Sequence, residues 1–214
     1  MSAPVKRRSY NSPLRQAQST ATRAAVLAAA QHLFETYGYP ATTMEAIAEE
    51  AGVSVKTAYL SYSTKSGLLR AVWDLLLKGD TADAPVAARQ VYQEILAEPD
   101  AERRLRLNAR NSAVVKQRIG GILRVIRSAA PVDEDMAALW ALIQSDFRAN
   151  QEGVLASMAA ARQLRPGLSL DRAADILWTL NHPDVWLLLH GDRRWTAAEF
   201  EEWLADSCCA LLLP

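Results

Sequence analysis

The sequence predicts an all-α protein, and three observations predict it. Gly and Pro together supply only 18 of 214 residues, against roughly 12% in an average chain. Ala and Leu, both strong helix formers, supply 66. The first extended apolar pattern, Val26, Leu27, Ala30, Leu33, Phe34 and Tyr37, keeps the three-and-four spacing of one buried helix face. Half the residues are hydrophobic and 22% are charged. That balance belongs to a globular protein and excludes a disordered polymer, a collagen-like repeat and an obligate polycation.

The elements follow in order. Residues 1–18 read as a flexible basic arm: Lys6, Arg7 and Arg8 precede Ser9-Tyr10-Asn11-Ser12-Pro13, where a secretory signal would place an apolar core. Ser19 or Thr20 can cap the first helix, which Gly38 and Pro40 end. Thr42-Thr43-Met44-Glu45 offers a capping box, a Thr hydroxyl and the Glu45 carboxylate satisfying orphan amides. The short helix that follows points Met44, Ile47 and Ala48 inward and stops near Glu50. Ala51-Gly52-Val53 then makes a tight turn, where Gly52 adopts a left-handed conformation at no steric cost. Ser54 caps the next helix, which runs to about Tyr62. Two short helices joined by three residues including Gly make a helix-turn-helix, here within residues 19–65, with a linking helix over 64–79.

The second of these helices carries Ser54, Lys56, Thr57, Tyr59 and Ser61, and no acid. Short donors suit base edges, and hydroxyls and cations suit phosphates. Lys65 begins the following helix, where exposed amides also favour an anion. Charge is segregated accordingly. Residues 1–70 hold eight basic and four acidic groups, a net +4, and the remaining 144 hold sixteen and twenty, a net −4. The zero net charge of the whole chain is a sum of two unlike parts, as in a polyanion-binding module joined to an acidic partner domain.

Thr42-Thr43-Met44-Glu45-Ala46-Ile47-Ala48, Ala51-Gly52-Val53-Ser54, Thr57-Ala58-Tyr59-Leu60-Ser61-Tyr62 and Lys65-Ser66-Gly67-Leu68-Leu69 resemble the TetR family of regulators, over roughly Arg23 to Trp73. The resemblance implies that the three N-terminal helices bind an operator. Lys56 and Thr57 would then lie near base edges, and Tyr59, Ser61 and Lys65 would hold phosphates. Thr43 and Ser54 complete the DNA-contact set. The chain differs from the family in carrying Ala58 where Leu is usual and Ser61 where His or Tyr is usual.

The resemblance implies that residues 66–214 form a larger helical ligand-binding and dimerisation domain. Leu68, Leu69, Val72, Trp73, Leu75, Leu76 and Leu77 make the linking helix broadly apolar. Gly79 to Asp83 is a loop, and Pro85 opens a helix ending near Pro99. Asp100 caps the next. Residues 103–127 contain eight basic groups and no acid: a solvated face paired to acids elsewhere, or a site for an anionic ligand or nucleic acid. Gly120-Gly121 is expected to kink or end this helix. Pro131-Val132-Asp133 starts a long helix toward Leu164, which Arg165-Pro166-Gly167 breaks. Asp171 opens another, which Pro183 bends or divides. Thr196 to Glu199 is a second capping box, starting the last helix.

The resemblance implies a homodimer through the last two long helices, about 171–189 and 196–212. It also implies a pocket in the second domain, with Tyr92, Asn108, Asn111, Trp140, Phe147, Trp178, Asn181 and Trp186 as candidates. Large apolar walls with a few amides fit a flat or hydrophobic small molecule. A near-palindromic operator suits the two-fold dimer.

No apolar run reaches the 18 or more residues of a membrane span. The adjacent Cys208 and Cys209 read as small hydrophobes of a reducing, cytoplasmic compartment. His32, His182 and His190 have no partners at metal-ligand spacing, so no metal or cofactor is expected. Phosphate-loop and nucleophile motifs are also missing, and no enzyme is expected. The resulting expectation is a homodimeric, ligand-released repressor. The alternatives are a helical ligand-binding or enzymatic protein with an incidental Gly turn, and a TetR-like activator or ligand-independent regulator.

Overall fold

A computed structural model describes residues 13–78 and 90–214. The basic cluster Lys6, Arg7 and Arg8, the Gly79–Asp83 loop and Pro85 lie outside the described residues. Among the described residues every regular element is helical. The chain divides into two compact units, Met1–Leu69 and Arg70–Pro214.

The first unit contains α1 (Pro13–Ala41), α2 (Met44–Glu50), α3 (Val55–Ser61) and the first turn of α4 (Lys65–Lys78). Because α1 begins at Pro13, Pro13 to Gln18 are helical rather than arm, and Ser19 and Thr20 lie inside the helix instead of capping it. The Thr20 hydroxyl donates back to the Gln16 carbonyl at 3.0 Å, the bond a mid-helix Thr makes. Val26, Ala30, Leu33 and Phe34 are buried as the spacing requires. Tyr37 is not, being 63% exposed. Gly38 (φ 79°) kinks the helix one residue later, and Tyr39 beyond the kink packs onto Phe34 instead, with ring centroids 5.9 Å apart.

The second helix is capped by half of the expected device. Thr43 accepts from the Ala46 amide at 3.1 Å, which makes Glu45 the second helical residue rather than the third. Its carboxylate therefore does not close a capping box, though a negative charge in the first turn still suits the helix dipole. The Thr42 hydroxyl turns inward, 2.8 Å from the Gly38 carbonyl. The turn after α2 conforms to expectation. Gly52 has φ 66°, and the Val53 amide donates to the Ala48 carbonyl at 2.9 Å, the closing bond of a glycine C-cap. Ser54 caps α3 by accepting from the Thr57 amide at 3.1 Å. Ala48 and Ala58 are both fully buried, so α2 and α3 approach closely.

The second unit holds the rest of α4, then α5 (Gln90–Ala97), α6 (Ala101–Ala129), α7 (Glu134–Ala160), α8 (Leu170–Leu180), α9 (Pro183–Trp186), a π-helical turn (Leu187–Asp192) and α10 (Ala197–Leu212). Side chains cap these helices: Asp100 for α6, Asp133 for α7, Ser169 for α8 and Thr196, with a complete capping box through Glu199, for α10. The α8 start is thus set by Ser169, and Asp171 falls in its first turn. Asn181-His182-Pro183 divides α8 from α9: His182 Nδ1 accepts from the Asp184 amide at 3.1 Å, and Pro183 occupies the first turn, where its missing N–H costs nothing. α6 packs along α10 and α7, and α7 along α8. Leu105, Val154, Leu155, Met158, Leu177, Phe200 and Leu204 are central to the core they share.

Two expectations fail in this unit. α6 runs unbroken through Gly120-Gly121, because Gly120 is needed for packing rather than bending: a Cβ there would lie 3.0 Å from Trp186 Nε1. α7 stops at Ala160, short of Leu164. Arg162 takes a left-handed conformation (φ 55°), and the Gln163 amide donates to the Met158 carbonyl at 2.9 Å, a C-cap usually built on glycine.

Candidate nucleic-acid interface and ligand cavity

In the first unit the α3 cap presents a polar edge. Ser54 and Thr57 hydroxyls are 2.7 Å apart, and Thr57 is half-buried, whereas Ser54, Lys56 and Tyr59 are exposed. Thr43 is exposed on its own cap, and Ser61 is half-buried. Lys65 is engaged: its ammonium donates to the Tyr39 carbonyl at 2.8 Å and lies 4.2 Å from the centroid of the Tyr39 ring. Sequence reasoning missed two features. Val55 and Leu60, 39% and 77% exposed, flank Lys56 and Tyr59 as apolar groups of the kind that can meet a thymine methyl; Leu60 is legible as exposed once Ala58, two residues before it, is assigned inward. Arg23 and Thr22 of α1 join Thr57, Leu60 and Ser61 around a hollow of about 360 Å³, a placement that only tertiary packing creates.

The second unit has a partly open cavity of about 650 Å³ lined by α4, α5, α6 and α7. Trp73, Leu77, Leu139, Ile143 and Phe147 supply apolar wall, and Asn108, Asn111, Ser112, Lys116 and Gln151 supply a polar one. Of the residues singled out from sequence, Tyr92, Asn108, Asn111 and Phe147 reach this wall. Tyr92 donates from its hydroxyl to the Asn150 carbonyl at 3.0 Å.

The other four do not. Asn181 is fully buried as the C-cap of α8. Its amide donates to Ser112 Oγ at 2.9 Å and Gln151 Oε1 at 3.1 Å, and its oxygen accepts from Lys116 Nζ, so it joins three wall residues from behind. Trp186 is core, stacked on His190 at 4.2 Å and edge-on to Phe200 at 4.9 Å. Trp140 and Trp178 instead flank His182, at 6.4 and 4.6 Å. Since His182 Nδ1 accepts the Asp184 amide, its Nε2 carries the proton and donates to Gln144 Oε1 at 2.9 Å. Burial lowers the His182 pKa, keeping it in this neutral tautomer.

Lys116 is the residue that sequence reasoning passed over. It is 4% exposed, with Nζ 5.6 Å from the Phe147 ring and 5.4 Å from the Phe200 ring. Among the described residues it has no carboxylate within ion-pairing distance, and desolvation lowers its pKa to about 7. Its signal was phase: Ala109, Ala113 and Gly120, at helical spacing from it, are all buried. Three of the seven other basic groups of α6 follow the paired-surface reading. Arg106 meets Glu102 and Asp206, Arg103 meets Glu98, and Arg127 meets Asp184. Arg104 is buried against the Glu98 carbonyl and the Ser157 hydroxyl.

Comparison with known proteins agrees with this architecture. Residues 26–72 match the model of bacterial regulatory proteins of the tetR family. No curated protein matches the chain. Among solved structures, NalD, the secondary repressor of the MexAB-OprM multidrug efflux pump in Pseudomonas aeruginosa, is similar with TM-score 0.71 and 21% identity, over 92% of this chain and 98% of that one. SmeT, the repressor of the Stenotrophomonas maltophilia multidrug efflux pump SmeDEF, aligns with TM-score 0.66 and 19% identity over 92% of each chain. A transcriptional regulator from Aquifex aeolicus VF5 aligns with TM-score 0.65 and 16% identity, over 86% of this chain and 96% of that one. At such identities the likeness is one of fold, carried through both units.

Proposed function

We propose that this chain, whose residues 26–72 match the tetR family of bacterial regulatory proteins, is a homodimeric repressor of a near-palindromic operator, released by a small, largely hydrophobic ligand. The observation that carries the reading is the single helix α4. It begins with Lys65 and the buried Leu68 and Leu69 of the helix-turn-helix unit, and ends with Trp73 and Leu77 on the cavity wall. SmeT, one of the structural relatives, is known as a complex with triclosan, and a 650 Å³ cavity is of the size that holds such molecules.

Dimerisation is assigned to the last two long helices. The segments 171–189 and 196–212 carry Leu188 and Leu211 exposed and Ile176, Leu180 and Trp203 only part-buried, an apolar surface suited to a second copy. DNA contacts are assigned to Thr43, Ser54, Lys56, Thr57, Tyr59, Ser61 and Lys65, with Arg23 added. For release, the ligand must prefer one spacing of the two heads over the other. A 10–100-fold loss of operator affinity needs about 1.4–2.8 kcal/mol of such preference.

Selection of duplexes from a random pool, followed by titration at several salt concentrations, tests the reading. A near-palindromic site and an affinity falling steeply with salt are expected. Failure to bind DNA even at low salt would end it.

A further inference from the structure

The cavity is apolar over much of its wall, yet its α6 side is built differently. Lys116, 4% exposed, contributes an amino group that donates to Asn181 Oδ1. A lysine has three donors, and among the described residues only this one acceptor meets them. Asn108 and Asn111 of the same helix also border the cavity. Asn108 is only 5% exposed, and among the described residues its amide has no hydrogen-bond partner. On the cavity lining, the spare Lys116 donors and the amide N–H groups are left for a ligand, so this cluster is complementary to a group that brings negative charge and lone pairs.

The groups facing Lys116 come from every element around it. They are Phe147 and Gln151 of α7, Asn181 and His182 at the α8–α9 joint, and Phe200 and Cys208 of α10. None is a carboxylate, and Cys208 is a neutral thiol whose pKa burial pushes up to about 12. The cavity's own acids, Asp74 and Asp146, lie on α4 and α7, and Asp74 is paired with Arg70 at 3.5 Å.

We infer that the ligand of this cavity is an amphipathic anion, whose ionised acidic oxygen meets Lys116 and the Asn108 and Asn111 amides while its apolar body lies against Trp73, Ile143 and Phe147. The inference rests on the ligand-cavity reading above and narrows its chemistry. Desolvation favours the neutral amine in the unliganded protein, and an adjacent anion favours the ammonium. Anion binding above pH 7 therefore draws a proton into the site.

Calorimetry on the full-length protein with naphthoate, naphthylmethanol and naphthylmethylamine tests this, since the three probes differ little except in charge. At pH 6 naphthoate is expected to bind at least tenfold more tightly than the other two. At pH 8, titration in two buffers of different ionisation enthalpy should show uptake of close to one proton. Lys116→Gln, which can still donate to Asn181, should bring naphthoate to within about threefold of the alcohol and abolish the uptake. Lys116→Met should do the same, as a check that the loss follows the charge. Equal binding of acid and alcohol by the wild type, tighter binding of the amine, or no proton uptake would overturn the anion assignment while leaving the cavity reading in place. If none of the three binds, the cavity reading falls and the anion assignment with it.

Discussion

Gly120 lies beneath the Trp186 indole, so close that a Cβ on it would stand 3.0 Å from Nε1. The indole has nowhere to retreat, being 2% exposed and held by His190 on one side and Phe200 at its edge. Ala would ordinarily stabilise a helix interior relative to Gly by up to about 1 kcal/mol. Here overpacking wins, and Gly120→Ala is expected to lower stability by about 1–2 kcal/mol net. Urea unfolding followed by circular dichroism measures it; a gain in stability would show that Trp186 can yield.

Lys116 makes stability depend on pH in a definite direction. Its folded pKa of about 7 lies below the roughly 10.4 of an unfolded lysine. Between those values the unfolded chain holds the extra proton, so this group makes stability rise with pH, by at most about 1.4 kcal/mol per unit. Below pH 7 both states are protonated and its slope vanishes. Above the ordinary thiol pKa of roughly 8.5, Cys208, raised to about 12, contributes with the opposite sign. The clean window is therefore pH 7 to 8.5, and across it Lys116→Met should show a flatter stability curve than the wild type. Parallel curves would contradict the buried-amine account.

The α7 C-cap offers a gain. Arg162 occupies φ 55°, a conformation that costs a non-glycine residue roughly 1–2 kcal/mol. Glycine avoids that cost but loses more chain entropy on folding, about 0.4–1 kcal/mol. Arg162 is exposed and carries no ion pair among the described residues. Arg162→Gly is thus expected to stabilise by up to about 1 kcal/mol, visible as a rise in unfolding midpoint; a fall would mean that the arginine side chain contributes there.

What could be read from sequence was whatever local chemistry decides. Ser54, Asp100 and Thr196 were legible as caps because a short polar side chain before an apolar run satisfies orphan amides. Gly52 and the His182-Pro183 break were legible because the backbone itself requires them. The errors came where tertiary packing overrides local preference. Gly120 resembles a helix breaker until Trp186 is placed over it, and Arg162 resembles a helix-continuing residue until the cap closes on it. The cavity wall was half legible. Tyr92, Asn108, Asn111 and Phe147 share helix faces with buried neighbours, but Trp140, Trp178 and Trp186 are distinguished in the sequence only by size, and aromatic size predicts burial without saying in which cluster. Lys116 was hidden in a run of basic residues whose other members mostly lie on the surface.

The two lysines of the helix-turn-helix unit should behave differently on mutation, because one is bound by the protein and the other is not. Lys56 is exposed and has no partner among the described residues, so Lys56→Ala should change stability by less than about 0.5 kcal/mol. Each cation that neutralises a phosphate contributes about 0.9 to the slope of log affinity against log salt; its removal should weaken binding and reduce that slope accordingly. Lys65 holds the Tyr39 carbonyl at 2.8 Å and lies over the Tyr39 ring, which braces the kink at Gly38. Losing a charged hydrogen bond and a cation–π contact together costs about 1–3 kcal/mol. Lys65→Ala should therefore lower both the thermal midpoint and DNA affinity, whereas Lys65→Arg should recover part of both. Fluorescence anisotropy at several salt concentrations, with thermal unfolding of each variant, separates the two effects. An unaltered midpoint in Lys65→Ala would show that the Tyr39 contact carries no stability, and would make Lys65 a phosphate ligand alone.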